Sequence, residues 1–218
     1  MSSATLTLNS KNYGAWSLRG WLICKLAGLD FVEESVGPDD EASRAELLLL
    51  SPSFLVPRLR VGDLAISDTL AIAEYLHETR PDAGLLPSDQ ASRFHCRSIS
   101  GEMHGGFANL RSALPMNVRA QYRGFKVWAG ARGDIERILA IWDDCLSRYG
   151  GPYLFGSAPT LADAMFAPVC LRFRTYDVSL EGATARYTAT LLDHPYLREW
   201  IAAAELEVDQ VEELDVEF

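Results

Sequence analysis

The hydrophobic period of this chain changes once, near residue 80, and that change limits what it can fold into. Before it, short runs alternating apolar and polar residues are separated by segments of helical period. After it, apolar residues recur at three and four and little strand signal remains. Thr5–Leu8 alternates and predicts a strand. Trp16–Ala27 carries Leu18, Leu22, Ile23 and Leu26 at helical spacing, with Gly28 placed to end the helix. "DFVEESV" (30–36) predicts a second strand, and "DDEASRAELLLL" (39–50) a helix with acids at its positive end. "VPRLRVGDLAIS" (56–67) predicts two short strands about a Gly62-Asp63 turn, and "DTLAIAEYLHET" (68–79) a third helix. The order is β-α-β-α-β-β-α, with the hairpin as the antiparallel edge of an otherwise crossover-linked sheet.

Residues 80–89, "RPDAGLLPSD", read as a linker. Beyond it Cys96, Ile99, Met103, Phe107, Leu110 and Leu114 step along one long helix. Ile135, Ile138, Leu139, Trp142, Leu146 and Tyr149 mark another, and the three glycines of "GFKVWAGARG" (124–133) predict a break between the two. "SAPTLADAMFAPVCLRF" (157–173) opens with a capping box in which Thr160 and Asp163 each reach the other's amide. "DHPYLREWIAAAE" (193–205) is a last helix with Pro195 in its first turn. The fold class is therefore α/β plus all-α: an N-terminal unit over 1–79, a linker over 80–89 and an all-helical unit over 90–218.

Composition narrows the partners. The apolar share of 48% and charged share of 23% fit a globular protein with a sizeable core. Net charge is −10, but seven of the acids and no base fall in residues 205–218, so the acidity is mostly a tail, read as a solvated terminus. This balance argues against a nucleic acid or an anionic membrane as partner. No apolar run approaches the roughly 18 residues of a membrane span, and the N-terminus lacks a signal-peptide core. Cys24, Cys96, Cys145 and Cys170 form no C-x-x-C pair, and three of them fall on apolar helical stripes, as in a reduced cytosolic protein. No metal-ligand spacing and no phosphate loop is present.

The segment "NYGAWSLRG" (12–20) turns from the first strand into the first helix, yet its centre, Gly14-Ala15, has no functional group. Three further segments carry a resemblance: "LVPRL" (55–59), "SDTLAIAEYL" (67–76), and the helical half with "EMHGGFANLRSALPMN" (102–117) and "TLADAMFAPVCLRFRTY" (160–176). With the element order, they make the chain resemble the soluble glutathione transferases over nearly its whole length.

The resemblance implies a thioredoxin-like N-terminal domain, a helical substrate-binding domain and glutathione as cosubstrate, with no metal. Val56-Pro57 is similar to the family's cis-proline loop, where the backbone of Val56 pairs with the cysteinyl part of glutathione; the plain reading is a trans proline at a strand edge. Asp68 and Thr69 are similar to the acid-hydroxyl pair that takes glutathione's ammonium and carboxylate at a helix N-terminus; the plain reading is an N-cap. Thr160 and Asp163 are then folding determinants. The bare turn is the catalytic turn, and bacterial relatives commonly read "NYSSWSLR" there, so both serines of the pair are replaced and Gly14 is left to the glutathione site. Ser17 is the first substitute for the missing hydroxyl, with a helix-capping role as the alternative. Asn12, Tyr13 and Ser10 follow, and Arg19 offers charge. Phe54-Leu55 stands where relatives often have Gly and then Arg, Lys or Gln, whose polar side chain can reach the glycyl carboxylate.

His104, Phe107, Arg111, Met116, Arg172 and Tyr176 are the residues placed to line a second pocket, and Arg172 with Arg174 suits an anionic or aromatic acceptor; the plain reading is a structural histidine and surface arginines. The leading function is a homodimeric glutathione transferase acting on a small-molecule electrophile. The alternatives are a non-catalytic binding protein on the same scaffold, a glutathione-dependent isomerase and a thiol-disulfide reductase.

Overall fold

A computed structural model describes residues 4–36, 45, 56–208, 211 and 214. The helix expected over 39–50 and the Phe54-Leu55 pair fall outside the described residues. The first strand, β1 (Ala4–Leu8), buries Ala4, Leu6 and Leu8 and leaves Thr5 and Thr7 half-exposed, as a period of two requires. β2 (Phe31–Ser35) pairs with it in parallel, and β3 (Arg58–Val61) in the antiparallel sense with Leu6 opposite Leu59. β4 (Leu64–Ser67) closes the hairpin through Gly62, whose φ of 58° suits a residue without a Cβ. The sheet order is β2-β1-β3-β4. β2 is an exposed edge, and Glu33 and Glu34 on it discourage pairing with another chain.

Two described helices complete this unit, α1 (Ala15–Leu26) and α2 (Thr69–Thr79). The expected linker is more than a tether. It holds a short 3-10 turn at Pro81–Ala83, buries Leu85 and Leu86, and its Leu85 carbonyl accepts from the N–H of Leu161 at 2.7 Å.

The remainder is helical: α3 (Gln90–Gly105), α4 (Ala108–Ala113), α5 (Ala129–Tyr149), α6 (Leu161–Thr175), α7 (Gly182–Leu192) and α8 (Pro195–Leu206). The single long helix expected through Leu114 is two. Gly105-Gly106 ends α3, and Phe107 takes a left-handed conformation at φ 62° before α4 begins. The glycine-rich break is also shorter than expected, because α5 starts at Ala129 and contains Gly130 and Gly133. α7 carries no clear sequence signal: it opens on glycine, and the face it buries includes Thr184 and Thr188.

α6 is buried on almost every side, packs against α1, α3 and α7, and so joins the two units. Its start is fixed as the capping motif predicts. The Asp163 carboxylate accepts from the N–H groups of Thr160 (2.7 Å) and Leu154 (3.0 Å) and from the Thr160 hydroxyl (3.0 Å). Among the described residues no helix is long and apolar enough to cross a membrane.

Candidate active site

The turn between β1 and α1 is closed by its own backbone. Gly14 donates to the Ser10 carbonyl at 2.9 Å, and a Cβ at position 14 would lie 2.2 Å from both that oxygen and Asn9 Oδ1. Only glycine fits here, so the turn is bare because it is tight. No side chain caps α1 and no acid lies in its first turn. An uncapped helix N-terminus is a favourable place for an anion.

Of the substitute donors named from the sequence, the hydroxyls of Ser17 and Ser10 are committed elsewhere, while the Asn12 side-chain Nδ2 is buried with no partner among the described residues. Ser17 is fully buried; its hydroxyl donates to Asn9 Oδ1 (2.6 Å) and accepts from the Asn9 N–H (3.0 Å). It pins the end of β1 to α1, and its one proton is not available to a thiolate. Asn12 Oδ1 accepts from the Arg119 N–H at 3.0 Å and the Asn12 carbonyl from the Val118 N–H at 3.2 Å. The buried Tyr13 hydroxyl accepts from Arg119 Nη2 (3.3 Å) and from the Val211 N–H (3.4 Å), with Val211 and Leu214 packed on its ring.

The expected solvated tail is corrected at its start. The Glu207 carboxylate accepts from the N–H groups of Lys11 (2.5 Å) and Asn12 (3.3 Å) and from the Ser10 hydroxyl. The Glu207 carbonyl accepts from Arg119, and Trp200 Nε1 donates to the Lys11 carbonyl at 2.9 Å. The helical half therefore grips the turn over residues 10–13. An acid seven residues past a tryptophan gives no sequence sign of this.

The Val56-Pro57 peptide is cis, and Val56 makes no backbone hydrogen bond to a described residue. The Pro57 ring lies against α1, where a Cβ on Gly20 would fall 2.4 Å from it; the sequence reading missed Gly20. At the start of α2, Asp68 sits at φ 82° and its Oδ1 accepts from the N–H groups of Leu70 (2.8 Å) and Ala71 (3.4 Å). Its Oδ2 lies 2.5 Å from His104 Nε2 of α3. Burial raises the Asp68 pKa, but the His104 contact and the two N–H groups outweigh it and hold the carboxyl below its ordinary range. The Thr69 hydroxyl is buried and has no partner among the described residues.

Trp16, the second residue of α1, is packed by one imidazole and two guanidiniums. The His104 ring stands 5.0 Å from it, and the guanidinium carbons of Arg19 and Arg111 lie 4.4 and 5.0 Å from its centroid. Arg19 and Arg172 are buried, donating through Nε to the carbonyls of Met165 (2.9 Å) and Leu114 (2.7 Å). Arg111 donates to the carbonyls of Met103 and His104. Arg19 Nη2, Arg111 Nε and Arg172 Nη1 are buried without partners, and none of the three arginines forms an ion pair among the described residues. Burial, then the neighbouring guanidiniums, lowers the pKa of Arg19 and takes that of Arg172 down to about 9; burial also lowers Arg111, against the pull of Asp134. Guanidiniums stay protonated at neutral pH, so this is a buried positive cluster with no ion pair among the described residues and only Asp134 acting on Arg111.

The other pocket candidates are core residues. Phe107, Met116 and Tyr176 are buried, and the Tyr176 hydroxyl donates to the Pro115 carbonyl at 3.0 Å. Arg174, read as a surface residue, donates to the Val118 carbonyl at 2.9 Å. All four cysteines are buried as expected, and burial pushes the Cys24 thiol up to about 12, which leaves it without thiolate chemistry at neutral pH. His95, Asp144 and Cys145 come within 4.8 Å of one another between α3 and α5, but there too burial comes first among the causes that push the thiol up to about 12.

A thioredoxin-like sheet unit closed by a cis-proline, an open helix N-terminus at the cleft and a helical unit gripping the same turn define a class of protein. Residues 13–79 match the glutathione S-transferase N-terminal domain and residues 107–203 the glutathione S-transferase C-terminal domain. Glutathione S-transferase 1 of Dianthus caryophyllus is 30% identical, over 71% of this chain and 70% of its own. A probable maleylacetoacetate isomerase of Caenorhabditis elegans is 28% identical, over 83% of this chain and 85% of its own. A crystal structure of maleylacetoacetate isomerase from Anaeromyxobacter dehalogenans, with bound dicarboxyethyl glutathione and citrate, superposes with a TM-score of 0.70 over 98% of each chain at 23% identity. The chain belongs to the glutathione S-transferase family.

Proposed function

We propose that this protein binds glutathione in its N-terminal domain and adds the thiolate to an unsaturated, carboxylate-bearing electrophile. The observation that carries this reading is the cluster of Arg19 and Arg111 on Trp16 with Arg172 beside them, three buried donors among them unfilled by any described residue. A buried charge without a partner is costly, and an anionic substrate supplies the missing charge. Glutathione lies along Val56, Thr69 and Asp68, with its sulfur at the N-terminus of α1, where the helix favours the anion. The thiolate adds to a double bond conjugated to a carbonyl, and the guanidiniums hold the carboxylates and the charge that develops beside them.

From this adduct two outcomes follow. Protonation gives a conjugate; rotation about the new single bond and loss of the thiolate give the geometric isomer and return the glutathione. The second is favoured by the maleylacetoacetate isomerases among the relatives. The family's homodimer belongs to this reading, and light scattering in solution tests it: two chains are expected, and a monomer speaks against it.

The function is tested by incubating the protein with substoichiometric glutathione and a cis-configured unsaturated keto diacid, followed by proton NMR. The expected result is the trans isomer with the glutathione unspent. One glutathione consumed per product assigns conjugation instead. Binding without either product assigns the scaffold to ligand binding.

A further inference from the structure

The turn has no hydroxyl for the thiol, and Ser17 cannot supply one, so the proton of glutathione needs another destination. We propose that His104 is that destination: a general base from the helical domain, oriented by Asp68 across the cleft.

Asp68 Oδ2 lies 2.5 Å from His104 Nε2. A carboxylate only accepts, so the proton of a neutral imidazole is fixed on Nε2 and the lone pair on Nδ1. Nδ1 makes no hydrogen bond to any described residue. The ring packs on Trp16 at 5.0 Å, and Arg111 holds the backbone carbonyl of His104 at 3.0 Å. Asp68 is itself anchored by the N–H groups of Leu70 and Ala71. The ring packs against Trp16, the second residue of the helix that follows the bare turn. Asp68, the residue before α2, touches the imidazole; Arg19 of α1 and Arg111 of α4 pack on the same Trp16 ring, with Arg172 of α6 and Asp134 of α5 acting electrostatically on Arg111's surroundings. One acid touches the ring, and the cations favour a thiolate beside it.

The step balances. Nδ1 takes the proton of the glutathione S–H, and sulfur keeps the electron pair. The thiolate forms a bond to the electrophilic carbon as the π bond opens. In conjugation the imidazolium returns its proton to the adjacent carbon; in isomerisation the adduct expels the thiolate again. His104 is the catalytic residue in this step and Asp68 a positioning residue. The step rests on glutathione being the cosubstrate.

His104→Gln tests it, because a glutamine Nε2 still donates to Asp68 while no base remains at the Nδ1 position. Calorimetry reads glutathione binding, ultraviolet absorbance reads bound thiolate, and kcat is followed against pH. The expected result is glutathione affinity within about threefold of the unmodified protein, loss of the thiolate signal at neutral pH, and a fall in kcat of about 100-fold or more, the usual range for a lost general base. The dependence of kcat on pH is expected to change with the base removed. Asp68→Asn is expected to lower kcat as well, since an amide donor turns the imidazole to the wrong tautomer. A His104→Gln protein that keeps the thiolate signal and the pH profile overturns the proposal and leaves glutathione chemistry standing. Failure of the unmodified protein to bind glutathione overturns both. Circular dichroism of each variant separates misfolding from lost chemistry.

Discussion

At the scale of single residues, the difference between positions 14 and 15 is steric. Gly14 has no room for a Cβ, while Ala15 already carries one at the open end of α1. Gly14→Ser is expected to destabilise the fold by about 1–3 kcal/mol, the usual cost of overpacking, read from a denaturant midpoint. Ala15→Ser is expected to fold normally and to raise the bound thiolate fraction, since a hydrogen bond to a charged group is worth about 1.5–3 kcal/mol, or roughly one to two pKa units. Ser17→Ala has the opposite signature. It removes two bonds to Asn9, so stability should fall by about 1–2 kcal/mol while the pKa of bound glutathione stays where it is. A large rise in that pKa would return Ser17 to the chemistry.

At the scale of elements, two carboxylates govern how segments meet. Glu207 follows α8 and holds the N–H groups of Lys11 and Asn12, 196 and 195 residues away in sequence. Glu207→Ala is expected to cost about 2–3 kcal/mol through unsatisfied donors and to raise the KM for glutathione more than it lowers kcat. An unchanged midpoint and KM would show the grip to be incidental. Asp163 starts α6, and burial raises its pKa to about 6 against the hydrogen bonds it accepts. The fold favours the neutral acid, so this group's contribution is full below the unfolded value of about 3.9 and is lost as pH rises through about 6. Asp163→Asn, which resembles the neutral acid, is therefore expected to destabilise the protein less at neutral pH than near pH ~4. The difference between the two unfolding midpoints, followed against pH, checks the sign.

At the scale of the whole molecule, what the sequence shows is what lies close along the chain. The alternation of Thr5–Leu8, the Gly62-Asp63 hairpin and the Thr160–Asp163 box all act over a few residues, and each appears where the pattern puts it. α7 escapes because its inward positions include threonines that carry no apolar signal. The break at Phe107 escapes because a phenylalanine in a left-handed conformation interrupts a helical period without changing it. The site is harder to read, since it is made by long-range contacts: Asp68 with His104, Glu207 with the turn, and arginines from α1 and α4 on one tryptophan with a third from α6 beside them. Arginines read as surface residues prove to be buried donors. Arg172→Met is expected to raise the KM for an anionic acceptor by about 10- to 100-fold, the loss of one charged hydrogen bond, and to leave glutathione affinity unchanged.

The central claim is that this scaffold ionises glutathione without a hydroxyl in its turn. The most direct test is the ultraviolet thiolate absorbance of glutathione bound to the unmodified protein, titrated across pH. The expected result is saturable binding with an apparent thiol pKa at least about one unit below the ordinary thiol value near 8.5. Binding with the thiol at its free value, or no binding at millimolar glutathione, would contradict it.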